Sequence, residues 1–347
     1  MEYTQFGNTN LRVSRICFGT WAFGGEWGDQ DVTANKAAIR KALDLGINFF
    51  DTAQAYGFGA AEQFLSASLQ PELRTKRQEL VIATKGGLKE IGDKLVRDSN
   101  RRWLRQGLES SLRALGTDYV DLYLVHWPDP QVPMAEVAAT LDEFVTEGKV
   151  RFVGGSNFDE QQISAFEQIR HLDALQPPYH LFRREIEARI LPLCQQFQIG
   201  VMAYGPLAHG LLTGRYSAAT TFPGNDWRSK SDIFKGDLFK KNLAVVDQLK
   251  QFAQERGCDL PQLATAWVLS HPAIDCAIVG TMNAQEITDT AAAANIRLSQ
   301  ADLTRIDGIM RQAISVSGPS PEGTFTTDVS PHPMQAQESG DSPTAPI

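Results

Sequence analysis

The chain has 347 residues, 42% hydrophobic and 21% charged, enough apolar material for one large α/β core or two smaller ones. Its 33 Lys and Arg against 41 Asp and Glu leave a net charge of -8, which argues against nucleic acid or an anionic membrane as the principal partner. No apolar run reaches the roughly 18 residues of a membrane span, and the opening MEYTQFGNTN lacks the basic and apolar regions of a signal peptide.

Taken in chain order, YTQFGNTNLRVS reads as a β-hairpin turned at Gly7–Asn8. Short runs rich in Val, Ile, Phe and Tyr follow as RICF (15–18), INFF (47–50), LVIA (80–83) and VDLYLV (120–125). They continue as VRFV (150–153), DALQ (173–176), IGVMAY (199–204) and CAIV (276–279). Helical spacing fills the intervals. Ser99 is placed to cap a helix with Trp103, Leu104, Gly107, Leu108, Ser111, Leu112 and Leu115 on one face. Phe239, Leu243, Val246, Leu249 and Phe252 make a second stripe. Strand–helix units repeated in this way imply parallel strands with crossover helices, which close naturally into a (β/α)8 TIM barrel over residues 1–314. An open doubly wound sheet is the structural rival.

Residues 315–347 hold six of the 17 prolines, the acids Glu322, Asp328, Glu338 and Asp341, and no Lys or Arg. A disordered tail is expected there, since such a segment buries too little apolar surface to offset its ordering entropy. The cysteines, Cys17, Cys194, Cys258 and Cys276, are widely spaced, so reduced thiols in a cytoplasmic protein are expected. There is no H-E-x-x-H and no clustered Cys/His spacing, so no metal is expected. GFGAAE (57–62) falls short of a dinucleotide-binding glycine fingerprint because Glu62 replaces the third glycine.

In a barrel of this kind the chemistry is built where the strands end. The residues at those ends are Gly19, Thr20 and Trp21; Asp51; Lys85; His126; Ser156 and Asn157; Gln176; Tyr204; and Gly280 and Thr281. Any one of them serves equally well as a cap or turn residue, but core strands have no need of the whole ring. Asp51, Tyr56, Lys85 and His126 form a coherent chemical set. A phenol with an ordinary pKa of about 10 is a poor proton donor at neutral pH. A buried ammonium beside it stabilises the phenolate, and a nearby imidazole polarises the same hydroxyl. The ammonium in turn needs a carboxylate, which Asp51 supplies. Such a site donates a proton to a substrate oxygen and stabilises negative charge there, as carbonyl reduction requires.

FDTAQAYG (50–57), with Asp five residues before Tyr, resembles the aldo-keto reductase signature. So do ATKGG (83–87), DLYLVHWPDP (121–130), VGGSNF (153–158), QPPYHLFRR (176–184) and AYGPLAHGLLTGRY (203–216). The likeness runs in order through residues 3 to 312 and is closest to the bacterial branch related to the potassium-channel β-subunits, with a GNDWRSK insertion (224–230) after the seventh strand. The resemblance implies that Tyr56 is the general acid in reduction and the base in oxidation. Lys85 would tune it, Asp51 would pair with Lys85, and His126 would orient the substrate carbonyl. Thr20 and Trp21 would border the cofactor. Ser156, Asn157 and Gln176 would bind the nicotinamide carboxamide, and Tyr204 would stack on its ring. Gly205, Pro206 and Leu207 would follow the pyrophosphate, with His209 nearby.

After the eighth strand the chain reads GTMNAQEITDT (280–290), and Gly280, Thr281, Met282, Asn283, Glu286 and Asp289 are its candidate cofactor contacts. The resemblance implies NADP(H), whose 2′-phosphate is commonly met here by Arg or Lys. The window holds no cation, and Glu286 repels a phosphate but can accept bonds from a free ribose hydroxyl, which favours NAD(H). Arg215, Arg228 and Lys230 are the cations positioned to compensate. Trp21, Trp27, Trp127 and Trp227, with Tyr56, His126, Phe23 and Phe58, fall on the loops expected to wall a pocket for a small carbonyl or sugar substrate. Asp129 is a candidate for binding its hydroxyls. The alternative function is a cofactor-bound regulatory or assembly subunit resembling the channel β-subunits, with little turnover.

Overall fold

The computed structural model describes residues 1–24, 31–92, 94–223, 226–229 and 231–315. Trp27, the side chain of Trp227, Lys230 and the segment from residue 316 onward lie outside the described residues.

Eight parallel strands close into a barrel: Ile16–Gly19, Phe49–Asp51, Val81–Gly86, Val120–Val125, Val150–Ser156, Ala174–Gln176, Gly200–Tyr204 and Cys276–Gly280. Each pairs with its neighbour in sequence, and the eighth returns to the first with Ala277 opposite Ile16. The fold is therefore a (β/α)8 barrel and not an open sheet. Its strands are near-continuous apolar runs because both of their faces are covered. Ile16, Phe18, Phe50, Ile82, Tyr123 and Val201 pack outward into the layer shared with the helices. Cys17, Phe49, Val81, Ala83, Leu122, Leu124, Met202 and Cys276 fill the interior. Among the described residues no helix is long and apolar enough to cross a membrane.

The N-terminal hairpin pairs Tyr3–Gln5 with Arg12–Ser14. Its connection runs from Phe6 to Leu11 and is wider than a turn confined to Gly7–Asn8, because Phe6 is drawn into the barrel. Phe6 is fully buried and meets Phe49 edge-on at 5.7 Å. Gly7 has a φ of 49°, and a Cβ there would lie 2.3 Å from the Gly200 nitrogen, so this close approach requires glycine. The hairpin thus closes the end of the barrel at which the strands begin.

The helix expected after the third strand spans Arg101–Leu115 and buries Leu104, Gly107, Leu108, Ser111, Leu112 and Leu115. Trp103 is half-buried and donates from Nε1 to the Leu88 carbonyl. Its cap is Asn100, not Ser99: the Asn100 side chain accepts from the Trp103 N–H, whereas the Ser99 N–H is held by Asp129. The second stripe lies along helix Gly236–Glu255, with Phe239, Leu243, Val246, Leu249 and Phe252 all buried. The loop after the third strand also carries an antiparallel hairpin, Leu88–Ile91 with Lys94–Arg97, which the sequence pattern did not suggest.

Because Phe6 fills the barrel end among fixed backbones, Phe6→Ala is expected to lower stability by about 3–5 kcal/mol. Urea unfolding checks this, and a loss under about 1 kcal/mol would show that the plug adds little.

Candidate active site

The barrel strands end around one mouth, and four expected side chains converge there. Asp51 closes the second strand, Lys85 lies near the end of the third, and His126 follows the fourth. Tyr56 comes from the turn between the second strand and helix Ala60–Thr75. Lys85 is fully buried, and its ammonium donates to Asp51 Oδ2 at 2.8 Å, to the Thr52 carbonyl at 2.9 Å and to the Tyr56 hydroxyl at 3.2 Å. Asp51 Oδ1 accepts from Gln176 Nε2 at 2.8 Å. Burial raises the Asp51 carboxyl above its ordinary value, while the Lys85 charge and the bonds from Lys85 and Gln176 pull the other way. The His126 ring stands edge-on to Tyr56 with centroids 5.5 Å apart. Burial, and then the Lys85 charge, hold this imidazole well below its usual pKa, so it is neutral at physiological pH.

Above this group lies an open cleft of about 370 Å³. Trp21, Asp51, Tyr56, His126, Ser156, Gln176, Tyr204, Gly205, Pro206, Leu207, His209, Gly280, Thr281, Met282 and Glu286 line it, and Lys85 sits behind its floor. Other expected residues have different positions. Thr20 is fully buried and ties the first strand to the second through bonds to the Asp51 carbonyl. Asn157, at a φ of 62°, donates to the His126 carbonyl and accepts from the Tyr204 hydroxyl, so it braces the ring that lines the cleft. Asn283 caps helix Ala284–Ala291, and Asp289 accepts from Gln285. Trp127 is buried with Ala55 and Leu88 under the inserted hairpin, and Phe23 is buried in the main core. Asp129 accepts from the backbone N–H groups of Ser99 and Gln131. Phe58 is exposed.

Gly19, singled out at the end of the first strand, lines the cleft, which also includes residues that sequence reasoning passed over, among them Ala22, Gly210, Thr213, Tyr216, Ile278 and Val279. Val279 adjoins residues already singled out, and the alternation of the last strand was the signal for Ile278. Tyr216 was legible only as part of the GRY triplet that ends its motif. Arg228, weighed as a compensating cation, lines the cleft and pairs with Asp226 at its edge.

The segment after the seventh strand turns sharply, with positive φ at Gly205, Ala208, His209 and Gly210. Burial, followed by the charges of Arg183 and Arg228, pushes the His209 imidazole down to about 3. It therefore offers hydrogen bonds and no charge. Beyond it, Thr281 Oγ1 donates to Glu286 Oε2 at 2.7 Å, and Arg215 donates to Glu286 Oε1 at 2.7 Å. Burial raises the Glu286 carboxyl, but these two partners outweigh it and hold the group below its ordinary value. The segment so short of cations in sequence thus borrows one from 71 residues away.

These features fit a nicotinamide dinucleotide. A flat ring, Tyr204, and the polar ends of Ser156 and Gln176 line the cleft beside the tetrad, and the sharp turn at Gly205–Gly210 lines it too, with backbone placed to wrap a pyrophosphate. Among the described residues no cluster of three or more His, Cys, Asp or Glu is placed to hold a metal ion.

A family model described as "Aldo/keto reductase family" matches residues 15–311. The chain is 39% identical over 317 residues to the aldo-keto reductase YhdN of Bacillus subtilis, covering 91% of this chain and 95% of that protein. It is 33% identical over 320 residues to an NADH-specific methylglyoxal reductase of Escherichia coli, covering 88% and 97%. Among solved structures, the glycerol dehydrogenase AKR11B4 of Gluconobacter oxydans superposes with a TM-score of 0.84 at 34% identity, covering 92% of this chain and 98% of that one.

Because its pKa is depressed, the His126 ring is expected to remain neutral as pH falls through the ordinary imidazole range, between about pH 8 and 5.5. NMR of the ring carbons tests this, and a titration centred near an ordinary value of about 6.5 would refute it.

Proposed function

The chain belongs to the aldo/keto reductase family and is an NAD(P)H-dependent oxidoreductase acting on carbonyls, and we propose that it works with Tyr56 as the general acid and base. The observation that carries this reading is the Tyr56 hydroxyl 3.2 Å from a fully buried ammonium, itself held by Asp51. When bound, the nicotinamide supplies a hydride in reduction and accepts one in oxidation. Tyr56 hands its phenolic proton to the carbonyl oxygen, and Lys85 stabilises the phenolate left behind. Asp51 holds the ammonium in place, and Gln176 fixes the Asp51 carboxylate from across the mouth. His126, being neutral, donates an N–H to the same substrate oxygen without competing for the proton. Tyr204, braced by Asn157, gives the nicotinamide ring a fixed face, so that transfer is directional.

The substrate is a small carbonyl compound or the corresponding alcohol, in keeping with the methylglyoxal and glycerol named for two relatives and with the aromatic wall provided by Trp21. Glu286 argues for NAD(H) as the preferred cofactor. Its carboxylate is anchored by Thr281 at the far end of the cleft, whereas the Arg215 side chain opposite it is largely exposed. An anchored anion repels a 2′-phosphate and can accept from a 2′-hydroxyl.

Tyr56→Phe is expected to lower steady-state reduction of a nitrobenzaldehyde by at least roughly 100-fold while cofactor still binds, as followed by fluorescence titration. Turnover equal to the parent would remove Tyr56 from the chemistry. Glu286→Ala, which frees Arg215, is expected to raise the ratio of NADPH to NADH affinity about tenfold. An unchanged ratio would show that this position does not read the ribose.

A further inference from the structure

A second buried carboxyl lies behind the tetrad, and the chemistry above makes no use of it. Alternation along the third strand turns Lys85 into the barrel and its neighbour Thr84 outward against the helices. Glu62, in the first turn of helix Ala60–Thr75, is fully buried there, and its Oε1 accepts from Thr84 Oγ1 at 2.6 Å. Among the described residues Glu62 Oε2 has no hydrogen-bond partner, and neither does Gln54 Oε1. Gln54 Oε1 and the Tyr123 hydroxyl lie beside Gly107, where a Cβ would meet them at 2.8 and 3.1 Å. Tyr123 is already committed as a donor to the Leu104 carbonyl.

Lys85 is the cation that acts on Glu62, yet its three N–H groups are aimed at Asp51, Thr52 and Tyr56. None is left to bond Glu62. An ionised carboxylate there would be a buried charge without a bonded counter-ion, at a cost of several kcal/mol. A proton on Oε2 removes that charge and turns an unpartnered acceptor into a donor. Burial raises the Glu62 carboxyl, against the opposing effects of Thr84, Ser111 and Lys85.

The position of Glu62 in the chain shows what it holds. Between Tyr56 and Glu62 the backbone passes through positive φ at Gly57, Phe58 and Gly59, at 62°, 47° and 101°. A turn of this kind with a non-glycine residue in its middle is strained and needs an anchor beyond it. The Glu62–Thr84 bond is such an anchor, and it ties the segment that carries Tyr56 to the strand that carries Lys85.

Resting on the assignment of Tyr56 and Lys85 above, we propose that Glu62 is held as a neutral acid and acts as a positioning residue, clamping the Tyr56 turn to the Lys85 strand and so setting their separation.

Steady-state reduction of a nitrobenzaldehyde by the full chain, followed across pH in four variants, tests this. Glu62→Gln is neutral and keeps an acceptor for Thr84, so its kcat and alkaline limb are expected to match the parent. Thr84→Val, which keeps the shape of the side chain, and Glu62→Ala are expected to lose about tenfold in kcat with cofactor affinity unchanged. Their alkaline limb should move up, because a phenol farther from the ammonium releases its proton at higher pH. A downward shift of that limb in Glu62→Gln would mean that an anion had been removed, and would overturn the neutral assignment. Parent-like kinetics in Thr84→Val would overturn the clamp, whether or not Glu62→Ala folds. Tyr56→Phe in the same assay separates the two levels: if it keeps its turnover, the underlying assignment falls and the clamp with it. If it loses turnover while Thr84→Val does not, the clamp falls alone.

Discussion

One ammonium organises the mouth of this barrel. Lys85 lies wholly out of water, and a charge so placed persists only if every N–H finds an acceptor and at least one acceptor carries the opposite charge. Asp51, the Thr52 carbonyl and Tyr56 meet that demand. The requirement then propagates. Asp51 is fixed from across the mouth by Gln176 on the sixth strand, and its own carbonyl is tied to Thr20 at the end of the first. Ser156 donates to the Gln176 carbonyl, and Asn157 links the fourth and seventh strand ends through His126 and Tyr204. Asp51, Tyr56, Gln176, Ser156 and Tyr204, all facing the cleft, are therefore linked in a chain of bonds that begins at one buried charge.

The two ends of the barrel answer to different constraints. At the end where the strands begin, Phe6 and the hairpin supply apolar packing, and Gly7 permits the close approach. At the other end buried polar atoms are matched pair by pair, with Glu62 and Gln54 among the exceptions. Changes at the closed end act on packing, whereas changes at the mouth act on bonds between buried polar groups.

The barrel was legible because parallel strands covered on both faces are written as apolar runs, and eight such runs leave few closures to choose from. The tetrad was legible because strand ends are the only places where the fold calls for no particular residue, so ionisable groups there stand out. What escaped reading lay in partners distant along the chain. The inserted hairpin LKEI and KLVR is polar on its exposed side and reads as loop until its two halves pair. Trp127 looks like a pocket wall until that hairpin covers it, and Asn283 looks like a ligand until its own helix claims it as a cap. The meeting of Arg215 with Glu286 depends on how a long loop returns, which no local pattern encodes.

That ion pair has a consequence for the surroundings in which the protein works. Its two members are not buried, so their attraction is weakened by dissolved ions over a screening length of about 8 Å at physiological ionic strength. The carboxylate is also anchored by Thr281, whereas among the described residues the guanidinium on its long stem has only this hold at its tip. Added salt therefore releases the cation while leaving the anion in place. On the reading of Glu286 proposed above, the choice between the two dinucleotides is not a fixed property of the fold and drifts with the electrolyte around it.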